Sequence, residues 1–121
     1  MPSRDRVQAF VDRVLANDHV AAIEDFYHDD ATMQENQDRP RGPRSALIEA
    51  ERRMLARHDG VVSRIVAPFF VAGDDVVIHW IFEFSRRDGS TLRLEEMARQ
   101  RWRGDCIASE QFFYDPAQFD R

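Results

Sequence analysis

The sequence predicts an α+β domain, with helices in its first half and long antiparallel strands in its second. Apolar residues recur at helical spacing as far as Gly60, and beyond it the spacing falls to two. Turn-forming residues then divide the second half into four extended runs. The 121 residues have room for one domain, and 43% hydrophobic with 32% charged residues is the balance of a folded globular chain. Such a chain buries a core without a metal or disulfide staple.

The first helix is marked by Val7, Phe10, Val11, Val14 and Leu15, a stripe three and four residues apart. Ser3 is placed to cap it, and Asp5 suits the positive end of its dipole. Asn17-Asp18-His19 interrupts the pattern, and Asp18 can cap a second helix that turns Ala22, Ile23, Phe26 and Tyr27 inward. His28-Asp29-Asp30 is expected to end that helix before a short strand over 31–36, with Met33 and Glu35 on one face. Pro40 and Pro43 keep the next segment a loop. A third helix over 44–57 carries Leu47, Ile48, Glu51, Met54 and Leu55 on one stripe, and Gly60 stops it. Strands follow over 61–72, 76–85, 91–103 and 106–114, with Gly73-Asp74, Asp88-Gly89 and Gly104-Asp105 between them. Asp115-Pro116 closes the sheet, and the tail to Arg121 is expected to be loosely attached.

Charge and composition exclude several functions. The net charge is −5, and every basic residue is arginine. Without lysine there is no Schiff-base chemistry and no Walker-type phosphate loop. An acidic chain with no basic run is a poor match for nucleic acid. Cys106 is the only cysteine, so no intrachain disulfide can form, and the four histidines lack paired metal-ligand spacing. No metal or cofactor is expected. Apolar runs are too short to span a bilayer and residues 1–6 do not read as a signal peptide, so no membrane association and a cytoplasmic location are expected.

The strand over 91–103 is the most informative. One face presents Leu92, Leu94, Glu96, Ala98, Gln100 and Trp102, the other Arg93, Glu95, Met97, Arg99 and Arg101. Unpaired guanidinium groups are almost never buried, so the arginine face points outward and Glu96 and Gln100 point in. In the strand over 76–85, Val76, Ile78, Trp80, Phe82 and Phe84 form an apolar inner face. His79 then belongs to an outer or interface surface.

Residues 22–32, with Phe26-Tyr27 followed by Asp29-Asp30-Ala31-Thr32, resemble the entry into the first strand of the nuclear-transport-factor-2-like superfamily. Gly42 ahead of Ala46-Leu47 is similar to its junction with the third helix. Glu95-Glu96-Met97-Ala98-Arg99-Gln100-Arg101-Trp102 and Glu110-Gln111-Phe112-Phe113-Tyr114-Asp115-Pro116 resemble the last hairpin of SnoaL-like, polyketide-cyclase-like members. The resemblance implies a cone in which a strongly curved antiparallel sheet wraps three helices around a pocket for a small apolar molecule. It also implies a homodimer through the outer sheet face, and the outward arginines suit cross-subunit ion pairs.

Aligned on this resemblance, Glu35 falls where the related ketosteroid isomerases place their aspartate base. A solvated carboxylate at the cavity rim is the other reading. The isomerases' oxyanion donors would be Val11 and Ala98, which cannot donate, so that mechanism is not expected here. The remaining polar set is Glu96, Gln100, Glu110 and Tyr114. A three-residue hairpin loop over 104–106 would set Gln100 opposite Glu110 and Glu96 opposite Tyr114. These groups supply either acid–base chemistry on a carbonyl substrate or two satisfied buried pairs. Glu35, Glu96, Glu110 and Tyr114 are therefore the candidate catalytic residues. Tyr27, Trp80, Phe82, Gln100, Trp102 and Phe112 are the candidate substrate contacts. A ligand-binding or dimerising domain without catalysis is the alternative.

Overall fold

The computed structural model describes residues 1–120. The N-terminal helix α1 (Arg4–Leu15) begins where the Ser3 hydroxyl accepts the Arg6 N–H at 3.0 Å, and it buries Val7, Phe10, Val11 and Val14. It ends at Leu15, and Asn17, with a φ of +63°, turns the chain into α2 (His19–Phe26). Strand β1 (Tyr27–Glu35) starts directly after α2, earlier than the sequence pattern implied. His28-Asp29-Asp30 is strand rather than helix terminator, because β1 pairs with the last strand from Tyr27 onward, with an irregularity between Tyr27 and Thr32. A third helix, α3 (Arg44–Ala56), follows the proline loop. Gly42 passes so close to β1 that a Cβ there would lie 2.6 Å from the Ala31 carbonyl oxygen.

The expected strand over 61–72 is two strands, β2 (Gly60–Ile65) and β3 (Phe70–Ala72). Pro68 separates them, since proline has no N–H to give a ladder. Strands β4 (Asp75–Ser85), β5 (Thr91–Arg103) and β6 (Cys106–Phe113) complete a six-stranded sheet, curled and unclosed, in the order β1-β6-β5-β4-β2, with β3 also on β4. The sheet is mixed, not wholly antiparallel, because β1 runs parallel to β6.

Two details of register position the site. The β5–β6 turn is the two-residue Gly104-Asp105, not a three-residue loop. The pairing then skips Ala108: Trp102 faces Ile107, Arg101 faces Ser109 and Gln100 faces Glu110. The bulge restores the register that the longer loop would have produced. Along β5 the even-numbered side chains from Leu92 to Trp102 are buried, while Arg93, Arg99 and Arg101 are exposed.

On the outer face His79 Nε2 meets Glu95 Oε2 at 2.6 Å. Arg93 pairs with Glu95 at 3.3 Å, and Arg99 and Arg101 reach Asp75 at 3.7 and 3.3 Å. The arginines thus have ion-pair partners within their own chain. The tail is also better held than its composition suggests. Gln118 accepts the Glu95 N–H at 2.8 Å and donates to the Glu95 carbonyl at 3.0 Å, and Phe119 packs edge-on against Tyr114. Arg121 lies outside the described residues. Among the described residues no helix is long and apolar enough to cross a membrane.

Candidate functional site

The three helices and the inner sheet face leave a cavity of about 150 Å³. That is about the volume that accommodates a benzene ring. Six aromatic side chains line it: Phe10 of α1, Tyr27 of β1, Trp80, Phe82 and Phe84 of β4, and Phe112 of β6. Four carboxyl groups share the wall, Glu35, Glu51, Glu96 and Glu110.

Glu96 points into this space from the buried face of β5, opposite Trp80 on β4. It is 8% exposed, and its carboxyl group, open to the cavity, has no hydrogen-bond partner among the described residues. Burial pushes its carboxyl up to about 8, and the charges of Glu110, Glu35 and Glu51 push the same way. At neutral pH Glu96 is a carboxylic acid.

Glu110 is organised differently. Tyr27 donates its hydroxyl to Oε1, and Gln100 Nε2 donates to Oε2 at 2.7 Å. The indole N–H of Trp102 donates to Gln100 Oε1 at 3.0 Å, which fixes the amide so that its NH₂ faces Glu110. Burial raises the Glu110 carboxyl to about 7, against the lowering effect of these two donors. Burial, and then the neighbouring Glu110 charge, raise Tyr27 well above the ordinary phenol range, so it remains a donor. The two carboxyls titrate as a linked pair. Glu110, with two donors, ionises first, and Glu96 keeps its proton.

The other sequence candidates separate into wall and support. Tyr27, Trp80, Phe82 and Phe112 are in the wall, as is Glu35, whose Oε2 accepts from Arg41 Nη2 at 2.7 Å. Gln100 and Trp102 lie behind the wall: both are fully buried, and they reach the cavity only through Glu110. Tyr114 is also outside the lining. Its backbone N–H donates to Asn36 Oδ1 at 3.0 Å, and its phenol is raised first by burial and then by Glu35.

One polar group in the cavity was not foreseen. His19 of α2 is 8% exposed, with Nε2 at 2.7 Å from Ser63 Oγ and Nδ1 at 3.2 Å from Glu51 Oε1. The signal was present, because His19 stands three and four residues before Ala22 and Ile23, on the inward stripe of α2. Ser63 similarly alternates inward with Val61 and Ile65 on β2. Among the described residues no cluster of three or more His, Cys, Asp or Glu side chains is arranged to hold a metal ion.

The family model for the SnoaL-like domain matches residues 7–110. The chain belongs to the SnoaL-like family. Its curled sheet and three helices are the fold of solved structures that include ones described as nuclear-transport-factor-2-like. A Mesorhizobium loti protein provisionally assigned as a SnoaL-like polyketide cyclase aligns with a TM-score of 0.78 at 19% identity, covering 94% of this chain and all of its own. A Catenulispora acidiphila protein with a ketosteroid isomerase-like fold, in complex with trimethylamine, gives 0.78 at 19% identity over 96% of this chain and 89% of its own. An epoxide hydrolase from M. tuberculosis of the LEH-like type gives 0.73 at 15% identity over 92% and 80%. No curated protein matches this sequence. At these identities the likeness carries the SnoaL-like fold and not an activity.

Proposed function

We propose that this SnoaL-like protein is a cofactor-free acid–base enzyme acting on a compact, apolar, carbonyl-containing molecule. One observation carries the reading: Glu96 is a protonated carboxyl facing an apolar cavity with no partner of its own. A neutral acid held there donates a hydrogen bond to a carbonyl oxygen and stabilises the charge that develops when an adjacent C–H is ionised. The Glu96 oxygens open onto the cavity instead of being sealed in the core, so they are available to a ligand. A non-catalytic binder of the same fold would be better served by carboxyls that are all paired, as Glu35 is by Arg41.

Cyclohexanone, with a six-membered ring and one carbonyl, suits the cavity. In D₂O the protein is expected to exchange the α-protons of cyclohexanone for deuterium, followed by proton NMR. Glu96→Gln should slow the exchange on the order of 10²-fold while leaving the fold intact. An unchanged rate in Glu96→Gln removes the acid role. Absence of exchange by the parent protein favours the binding alternative.

The outer sheet face is proposed as a homodimer surface. Val62, Phe70, Met97 and Phe113 are exposed there, and the register places all four on one face: Val62 opposite Glu83, Phe70 opposite Val77, and Met97 opposite both His79 and Phe113. An apolar set of this kind rimmed by paired charges is typical of an interface core.

A further inference from the structure

Acid–base chemistry at a carbonyl needs a base as well as an acid, and the wall of the cavity offers three carboxyl groups besides Glu96. Glu110 has both oxygens engaged, one by the Tyr27 hydroxyl and the other by Gln100. Glu35 is held by the Arg41 guanidinium. Glu51 differs from Glu110 in leaving an oxygen free, and from Glu35, which also leaves one free, in facing an imidazole rather than a permanently charged guanidinium, which weakens a carboxylate as a base. Its Oε1 lies 3.2 Å from His19 Nδ1, and Oε2 has no partner among the described residues. The side chain lines the cavity from α3 and is 26% exposed.

We infer that Glu51 is the base of this site, and that His19 and Ser63 are positioning residues that hold it. The inference rests on the acid–base reading above and assigns the group which that reading left open.

The hydrogen-bond directions follow from the chemistry of imidazole. With Glu51 ionised, His19 must present an N–H at Nδ1, because a bare nitrogen facing a carboxylate leaves two lone pairs opposed. Nε2 is then the acceptor, and the Ser63 hydroxyl donates to it across 2.7 Å. Asn17 Oδ1 in turn accepts the Ser63 backbone N–H at 3.0 Å, which fixes β2 against the α1–α2 turn. The ring of His19 packs edge-on against Phe82, with centroids 5.4 Å apart.

The composition is that of a serine hydrolase triad, but the chain runs the other way. Ser63 is buried, is absent from the cavity wall and has its N–H committed to Asn17, so it has neither access to a ligand nor an oxyanion donor of its own. The carboxylate is the end that faces the ligand. The Glu51 charge contributes to raising Glu96, Glu110 and Tyr27, so it acts across the same small space as the acid.

The step balances without a further reactant. Glu51 Oε2 takes the proton from the α-carbon, the C–H electron pair forms the C=C bond, and the carbonyl π pair moves onto oxygen, where Glu96 holds it by its proton. Return of a deuteron from solvent-exchanged Glu51 to carbon gives the labelled ketone and restores the carboxylate. Glu35, Arg41, Glu96, Glu110, Tyr27 and His19 are the titratable or charged groups that share this wall with Glu51.

The test compares cyclohexanone exchange by the parent protein, Glu96→Gln, Glu51→Gln, Ser63→Ala and Ser63→Thr, with melting curves as a folding control. Glu51→Gln should lose on the order of 10²-fold in rate. Ser63→Ala should lower kcat with little change in KM and shift the pH profile, and Ser63→Thr, which keeps the hydroxyl, should recover the parent behaviour. Nitrogen-15 NMR of His19 should show a protonated Nδ1 in the parent. Exchange that survives Glu51→Gln but not Glu96→Gln overturns the base assignment and leaves the acid–base reading standing. Absence of exchange in the parent overturns that reading and the base assignment with it. A bare Nδ1, or a Ser63→Ala profile unchanged in both rate and pH, overturns the positioning role. The serine variants serve as the test if Glu51→Gln does not fold.

Discussion

Replacing Glu96 by glutamine should change how stability depends on pH, in a direction that can be fixed in advance. The carboxyl is raised from an ordinary 4.5 to about 8 in the folded protein. The folded state therefore holds this proton more tightly than the unfolded chain does. Its contribution is fully present below about 4.5 and is lost progressively as the pH rises through about 8, because the unfolded chain ionises first and the folded protein can release the proton only by carrying a buried charge. At 1.36 kcal/mol per tenfold difference in proton affinity, the upper bound of this loss is about 5 kcal/mol. Water entering the open cavity reduces it, to about 2–4 kcal/mol. For a domain of this size each kcal/mol moves Tm by about 3–5 °C. Glutamine is close in shape and never ionises. The variant should therefore melt near the parent at pH 5, and about 10 °C above it at pH 9. The assay is thermal unfolding by circular dichroism at several pH values, with the difference between the two proteins as the readout. Parallel curves from pH 5 to pH 9 would refute the raised Glu96 and the acid role built on it.

Three further substitutions examine other parts of the structure. Tyr27→Phe removes one of two donors to a buried carboxyl and should cost about 1–3 kcal/mol in urea unfolding, with more of the loss at pH 8 than at pH 5; equal loss at both would mean that the hydroxyl does not serve the ionised form. Gly42→Ala places a methyl group 2.6 Å from the Ala31 carbonyl oxygen, and the strain should lower stability by about 1–3 kcal/mol; a neutral result in the same unfolding assay would show that the loop relaxes freely. Met97→Asp puts a charge in the middle of the exposed apolar set on the outer face, and light scattering should show the dimer giving way to monomer, whereas a parent that is already monomeric excludes the interface.

The sequence disclosed the cavity wall where burial alternates cleanly. Along β5, four arginines on odd positions leave no choice about which face is wet, and that parity places Glu96, Ala98 and Gln100 inside. The Gln100–Glu110 pairing was legible for the same reason, although the turn that sets it was misjudged by one residue and a bulge at Ala108 compensates. The start of β1 was not legible. His28-Asp29-Asp30 is polar and its last two residues are exposed, so nothing local favours a strand, and only pairing with β6 from across the domain extends it. The break between β2 and β3 had a local signal in Pro68, which the apolar run on either side outweighed. His19 was the costliest omission. Its place on the inward stripe is plain, but its meaning depends on Ser63, 44 residues away, and on Glu51, 32 away.

The departure from the ketosteroid isomerase pattern has a geometric consequence. The position where the resemblance implies a protonated acid is Ala98, which is fully buried and has no group to donate. Glu96 is two residues along the same strand, and two residues conserve the face while moving the side chain by about 7 Å. On the proposed reading, the acid stands on the same wall at a different depth. The Tyr27 hydroxyl, which on the isomerase pattern would come from α1 at Val11, here comes from the first residue of β1 and serves Glu110. On that same reading, a carbonyl oxygen bound to Glu96 would lie beside Trp80, two residues along β5 from the place that the resemblance implies. Its α-carbon must then be sought on the side of the cavity formed by the helices, and that is where α3 carries Glu51 and α2 carries His19. A substrate chosen for Glu96 must fit the remaining space with no more than about a six-membered ring inside, and anything larger must leave through the mouth.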